Sequence, residues 1–508
     1  MKTRCFMLVL VLLLVVPVGF AQQAPGPEFD AYVNKALKDW EVPGIAIAIV
    51  KNDRIVMAKG YGVRELNKSE PVDEHTLFAI GSSSKAFTAS AIAILVDQAK
   101  LKWEDPATKY LPGLQLFDPY STRELTVADL MSHRSGLTRG DQLWYASDYG
   151  RDEVLRRVRY LKPSWSFRSR FGYQNIMFLA AGQIIPSVTG KSWDDFVRER
   201  IFTPLDMKST NTSIKAFAGA TNVATPHSRI EDKVQAIPWR NIDNIAPAGS
   251  INSNVQDMAQ WVRLQLGEGV YDGKRVLSAA SIKEMQTPQT VIRLDGERGR
   301  LYPDAHFLDY GLGWFLSDYR GRKLVEHGGA IDGMRAEVAL IPEEKVGLVI
   351  LSNLNGTILP HALMYRIFDF YLNAPARDWS SEFLKSSKEL ENQAKTAEKK
   401  RESERVKDTS PSLPLEKYSG TFQSEMYGET RVTLENQKLV IRFGSNFTGD
   451  LEHWHYDTFR VIWRDRVQGK GFVSFRLNSR GKVETLNVEN LSDFTRVPEP
   501  VSKVSSAP

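Results

Sequence analysis

Cysteine is all but absent from this chain. The only one, Cys5, sits in the first 21 residues. A chain cleaved after Ala21 has no thiol, which excludes disulfides, cysteine nucleophiles and thiolate metal sites. Strong charge of one sign is missing as well: the net charge is +5 over 508 residues, with no long basic block. That removes the electrostatic case for a nucleic-acid partner. Past the N-terminal segment no run is long and apolar enough to span a membrane. There is no G-x-S-x-G sequence either, which argues against the nucleophile elbow of an α/β-hydrolase.

What is present fits a soluble globular protein of two domains. The chain is 42% hydrophobic and 25% charged, and it is too long for one ordinary domain. Residues 1–21 join a positive start (Lys2, Arg4), an apolar run and small residues at Gly19 and Ala21. This predicts a secretory signal peptide cleaved after Ala21, and a secreted or periplasmic protein with no stable membrane span after cleavage. An uncleaved anchor is the alternative, and the shortness of the apolar run weighs against it. Cys5 precedes that run, so it is not placed as a lipid-bearing mature N-terminus.

Residues 27–40 have the apolar spacing of a helix, and 44–62 read as a hairpin turning at Asn52-Asp53. From about 100 to 300 the pattern is mainly helical. It includes LTVADLMSHRSGL with Thr126 as N-cap and Gly136 as stop, and a buried helix within 172–190. From about 310 come strand-like runs, closed by an amphipathic helix at 361–373. The simplest fold is α+β: one antiparallel sheet made from both chain ends, flanked by helices, beside a helical region. The charged run 385–412 reads as a linker or exposed helix. Strand-like alternation over 414–500 predicts a small all-β barrel or sandwich, with Trp454, Tyr456, Phe459 and Trp463 filling its core.

The stretch FAIGSSSKAFTASAIAILVDQ carries the chemistry. Ser82 opens a helix, where unpaired N–H groups and the positive end of the dipole gather. Lys85, three residues on, shares its helix face. A desolvated lysine amine can take the proton of a serine hydroxyl. Alone, Ser-x-x-Lys is unspecific: it recurs at Ser479–Lys482 in an apparent hairpin, and an N-cap serine with a solvated lysine explains it as well. Two further signals are Tyr173-Gln174-Asn175 at the head of a helix and His327-Gly328-Gly329 after a strand. Tyr-x-Asn recurs at Tyr32 and Tyr371, so it too is unspecific by itself.

Together and in order, these segments resemble the serine β-lactamase and penicillin-binding-protein superfamily, most nearly its class C β-lactamase-like branch. That branch also holds esterases, D-alanyl-D-alanine carboxypeptidases and D-amino-acid peptidases. The resemblance runs over about 27–375 through FAIGSSSK, LMSHRSGL, FGYQN, PAGSINSNVQDMA, YGLGW and EHGGAIDG. Residues 414–498 resemble the small lipocalin-like β-barrel often appended to such hydrolases. The domain layout that follows is a hydrolase over 27–380, a linker over 385–412 and a barrel over 414–500.

The resemblance implies an acylated Ser82, with Lys85 and Tyr173 sharing the proton transfers; which of them is the base stays open. It implies that Asn175 hydrogen-bonds the substrate or Lys85. The N–H groups of Ser82 and Ala330 would form the oxyanion hole. His327, Gly328 and Gly329 would line the substrate cleft. No metal or organic cofactor is implied. The departure is His327, where many β-lactamases carry a lysine that receives the substrate carboxylate. Histidine is a weaker, pH-dependent cation, and this shifts weight toward peptidases and esterases.

The expected activity is hydrolysis of an amide or ester in a small molecule or short peptide, such as a D-amino-acid peptide or a peptidoglycan fragment. The alternatives are a carboxylesterase or weak β-lactamase, and a catalytically silent protein that binds peptidoglycan or a partner. The sequence gives no indication of oligomeric state. His133 is expected to be structural. His453 and His455 would share a strand face but lack a third metal ligand, so packing or surface hydrogen bonding is their expected use.

Overall fold

The computed structural model describes residues 24–498; the expected signal peptide lies outside them. Eight antiparallel strands form the main sheet. From one edge their order is Arg54–Gly62, Gly44–Lys51, Val346–Ser352, Met334–Ile341, Arg322–Ile331, Phe315–Tyr319, Leu308–Tyr310 and Thr290–Ile292. The sheet thus joins both ends of the hydrolase region, as the strand pattern predicts. Asn52 and Asp53 have φ of 48° and 63°, the left-handed pair that matches a two-residue hairpin to strand twist. Val346–Ser352 is buried at every position, which is why it reads as an unbroken apolar run.

Helices cover both faces. Pro27–Trp40 and Leu359–Tyr371 bury Val33, Trp40, Leu363 and Phe368 against Ile47 and Leu348. On the other face Ser84–Asp97, Asn175–Thr189 and Val255–Leu266 build the larger core. Ser84–Asp97 is buried from Ser84 through Leu95, so it is a central helix with no solvent face.

The charged run belongs to a 25-residue helix, Trp379–Ser403, that begins earlier than the sequence pattern indicates. Its first turn is anchored: Trp379 and Phe383 are buried, and Trp379 Nε1 donates to Asp369 Oδ2 at 2.7 Å. The rest lies exposed until Arg401 meets Glu489 and Arg405 donates to the Trp454 carbonyl. There the barrel begins. Its eight strands, from Gly420–Ser424 to Ser492–Arg496, close because the first pairs with both the second and the last.

The barrel aromatics divide. Phe459 is in the core, with Phe422, Phe475 and Phe494. Trp463 is partly buried, and Trp454 packs edge-on to Phe472 beneath Arg405. Tyr456 is 55% exposed, at a turn with φ of 46°, so it does not fill the core. A register shift between His453 and His455 breaks strict alternation there. His453 Nε2 lies 3.0 Å from the Tyr456 carbonyl, a surface hydrogen bond of the kind expected for it.

Thr126 caps its helix in a reciprocal box with Asp129. The Asp129 carboxylate is fully buried and also receives Arg134 and Arg168. Burial alone would raise its pKa; the hydrogen bonds of Arg168, Thr126 and Arg134 outweigh that and lower it. Asp129→Ala is expected to destabilise the fold by about 1–3 kcal/mol, since it removes the buried acceptor of the Thr126 N–H and of two partly exposed arginines. The Asp129 contribution is present above the unfolded pKa near ~3.9 and fades as pH falls through the lower folded value. Urea unfolding of both proteins at several pH values checks both statements.

Candidate active site

Strand Phe315–Tyr319 pairs with its neighbour only as far as Glu326. The next residues, 327 to 331, therefore present a strand edge that the Ile80–Ser83 turn approaches. Ser83 Oγ donates to the His327 carbonyl at 2.9 Å. Two glycines permit this approach. A Cβ on Gly81 (φ 51°) would stand 2.5 Å from the Ala330 nitrogen, and one on Gly329 would overlap the Ile80 carbonyl oxygen. The backbone of Ala330 is thereby brought against the residue preceding Ser82.

Ser82 is half-buried at the cleft floor, while Lys85 is wholly buried. Lys85 Nζ lies 3.1 Å from Ser82 Oγ, 2.7 Å from Asn175 Oδ1 and 2.8 Å from the Ala248 carbonyl. Burial drives its pKa well below the ordinary lysine range, with the nearby charge of Asp141 opposing and that of Arg139 assisting. A neutral amine has two hydrogens and one lone pair. Asn175 and Ala248 offer only acceptors, so they take the hydrogens and the lone pair faces the Ser82 hydroxyl. The Tyr173 ring lies 4.9 Å from Lys85 Nζ. Burial raises the Tyr173 phenol; a hydrogen bond with Ser82 and the charge of Arg139 act against it, and the net shift is upward. Tyr173 is thus a protonated donor beside the serine.

His327 lines the same cleft as Ser82 and Tyr173, and not as a cation. It is 1% exposed, between the Tyr310 hydroxyl at 2.9 Å from Nε2 and the Gly328 carbonyl at 2.6 Å from Nδ1. A carbonyl only accepts, so Nδ1 carries the hydrogen and Nε2 accepts from Tyr310. Burial and the charge of Lys85 lower its pKa to about 3. His133 is buried, accepts from the Gln174 N–H at 3.1 Å and packs 4.2 Å from the Tyr173 ring. It holds the Tyr173 turn in place.

Several residues of the site left no signal in the sequence. Asn175 Nδ2 donates to Asp141 Oδ1 at 2.9 Å, and Trp144 Nε1 donates to the same oxygen at 2.8 Å. Asp141 thus fixes which end of the Asn175 amide meets Lys85. The barrel reaches the cleft as well: Gln468 Nε2 donates to Tyr145 Oη at 2.7 Å, and Arg240 joins Asp332 to Asp465. The Asn175–Asp141 and Gln468–Tyr145 partners are 34 and 323 residues apart in sequence, and no local pattern marks them. The cleft holds about 640 Å³. Among the described residues no group of three or more His, Cys, Asp or Glu is placed to hold a metal.

Known proteins resemble this chain in sequence and fold. The family model described as Beta-lactamase matches residues 29–367, and one described as a domain of unknown function, DUF3471, matches 404–500. Unguisins hydrolase ungD of Aspergillus violaceofuscus is 30% identical over 443 residues, 80% of this chain and 76% of its own length. Protein flp of Staphylococcus aureus is 26% identical over 343 residues, 66% of this chain and 64% of its own. The octameric penicillin-binding protein homologue from Pyrococcus abyssi superposes with a TM-score of 0.61 at 22% identity, covering 92% of this chain and 99% of that one. A D-stereospecific amidohydrolase from Streptomyces sp. gives 0.53 at 21% identity, covering 65% and 96%. The protein belongs to the beta-lactamase family of serine hydrolases.

The neutral His327 has a spectroscopic consequence. Its imidazole ring proton resonances are expected not to titrate between pH 5 and 8, because the ring charges only near about 3. A midpoint near ~6.5, the ordinary histidine value, in a spectrum assigned with His327→Gln would contradict the burial argument.

Proposed function

We propose that the protein hydrolyses an amide or ester through an acyl-enzyme on Ser82. The observation that carries this reading is the buried Lys85 amine, held by Asn175 and Ala248 with its remaining position toward Ser82 Oγ. Lys85 takes the hydroxyl proton as Ser82 Oγ bonds to the substrate carbonyl carbon. The N–H groups of Ser82 and Ala330 receive the oxyanion, a term worth about 3 kcal/mol per donor. Tyr173, kept protonated by burial, gives its proton to the leaving group and is reprotonated from Lys85. Water then attacks the ester by the reverse route. No metal or organic cofactor enters these steps.

An amide substrate, including a D-amino-acid peptide or peptidoglycan fragment, is supported by relatives named as hydrolases and by a fold neighbour named a D-stereospecific amidohydrolase. The neutral His327 supplies no charge for the carboxylate of a β-lactam, which places esterase or peptidase activity ahead of β-lactamase activity. A silent binding protein has no need of a desolvated lysine beside a serine. The composition of residues 1–21 supports a secreted or periplasmic location.

Intact mass after exposure to a fluorophosphonate is expected to show one adduct that is absent in Ser82→Ala; no adduct in the wild type would return the silent-binder reading. A persistent penicillin adduct would favour carboxypeptidase chemistry. Lys85→Ala is expected to slow acylation by roughly 10²- to 10⁴-fold. The rate should fall on acidification as Lys85 protonates, at a pH below the ordinary lysine range.

A further inference from the structure

Beyond Ser82 the cleft passes Gly328 and reaches Glu326, Glu337 and His361. Side chains alternate along a strand. His327 packs toward Tyr310 and Tyr173, so Gly328 and its register partner Glu337 lie on the opposite face. Arg335, paired with Ala330, shares that face and also lines the cleft. Gly328 has no side chain to fill the space: a Cβ there would stand 3.5 and 4.0 Å from the two Glu337 carboxylate oxygens.

The charges on this face are incompletely matched. Glu326 and Glu337 are 3% and 4% exposed. The Tyr302 hydroxyl donates to Glu326, and His361 Nδ1 lies 3.2 Å from Glu337 Oε2. Glu337 Oε1 meets no nitrogen or hydroxyl donor, and the Glu326 carboxyl hydrogen-bonds to Glu337. Two carboxyl groups therefore share one imidazole and one proton. Burial, then the charge of Glu337, raises the Glu326 carboxyl. Burial opposes charge on His361, but the hydrogen bond and charge of Glu337, with the charge of Glu326, raise its pKa. Arg335 is the converse case. Its guanidinium donates to the Met334 carbonyl at 2.9 Å, and among the described residues no ion pair within 4.0 Å holds it. Burial lowers it to about 10 against the nearby charge of Asp332. Arg335 and Glu337 stand about 7 Å apart along the strand and do not pair with each other.

We infer that this face is a subsite for an acyl group ending in a free α-amino acid, its ammonium received by Glu337 and its carboxylate by Arg335. The inference rests on acylation at Ser82. The acyl side is assigned because Tyr173, which protonates the leaving group, packs on the His327 face, whereas Gly328, Arg335 and Glu337 occupy the other. An ammonium entering beside Glu337 gives that carboxylate a charged donor alongside the neighbouring carboxyl of Glu326, and the carboxylate gives Arg335 the bidentate partner that its planar fork suits.

The test uses five p-nitroanilides of similar acyl length: γ-linked glutamate in both hands (ammonium and carboxylate), 4-aminobutyrate (ammonium only), glutarate (carboxylate only) and butyrate (neither). Hydrolysis by the full chain and binding to Ser82→Ala by calorimetry are both read. The glutamyl compound of one hand is expected to exceed butyrate by about tenfold or more in kcat/KM and in affinity, and to exceed each singly charged compound, as charge-assisted hydrogen bonds imply. Glu337→Gln should shrink the 4-aminobutyrate-to-butyrate ratio and Arg335→Gln the glutarate-to-butyrate ratio. A general loss of activity does not move such ratios. If Glu337→Gln fails to fold, the wild-type preference and the Arg335→Gln ratio still decide. Equal use of all five, an advantage from one charge alone, ratios unmoved by both variants, or no binding to Ser82→Ala would each overturn the subsite. Failure of the serine-hydrolase reading is seen separately, as butyrate turnover that is absent or that survives Ser82→Ala.

Discussion

The structure depends on a lysine amine carried completely out of water. Lys85 is buried within a helix that has no solvent face, and an ammonium there would lack a contacting carboxylate. Burial of an isolated charge is resolved by neutralisation. The surroundings are arranged for that outcome: an amide oxygen and a backbone carbonyl hold the two N–H bonds, and the third position meets a serine. Asp141 lies one residue further out, orienting Asn175 and moderating the shift without forming an ion pair with the amine. A direct carboxylate contact would have kept the lysine charged.

The second constraint is how closely a helix start can approach a strand edge. The sheet leaves the far end of Arg322–Ile331 unpaired on one side by ending its neighbour early. Glycines at 81 and 329 let the two backbones meet. Backbone amides set by such packing need no reorganisation when charge develops between them. A third glycine, Gly328, leaves room on the other face of the same strand. One stretch of backbone thus offers an edge against the Ser82 turn and, on the inferred reading, a recognition face.

The barrel is tied to the hydrolase at the loop that bears Asp141. Asn446 donates to the Ala146 carbonyl at 2.9 Å, the Ser445 N–H to Asp148 at 2.8 Å, and Tyr149 to the Tyr427 carbonyl at 3.0 Å. These bonds fix residues 145–149, a few positions beyond the aspartate that orients Asn175. A loop supported from a second domain loses less entropy when substrate arrives. The long helix between the domains, exposed over most of its length, is anchored at both ends by aromatic and arginine contacts.

Much of the fold was legible in the sequence because it rests on local rules. The Asn52-Asp53 turn, the Thr126 cap and the helix beginning at Asn175 are each written within a few residues. So is the alternation that yields the C-terminal barrel. The segments around Ser82, Tyr173 and His327 identified the family and a common cleft. The same rules placed Tyr456 wrongly in the barrel core, because the register shift beside it depends on the pairing strand. They began the charged helix too late, because the Trp379 anchor is seen only once Asp369 is beside it. The charge state of His327 was also beyond them, since Tyr310 and the depth of burial come from elsewhere in the chain. Sequence by itself determined which chemical groups are available and the order in which they occur. Tertiary structure alone decided their protonation and pairing, because desolvation and hydrogen bonding depend on neighbours that the chain brings together only when it folds.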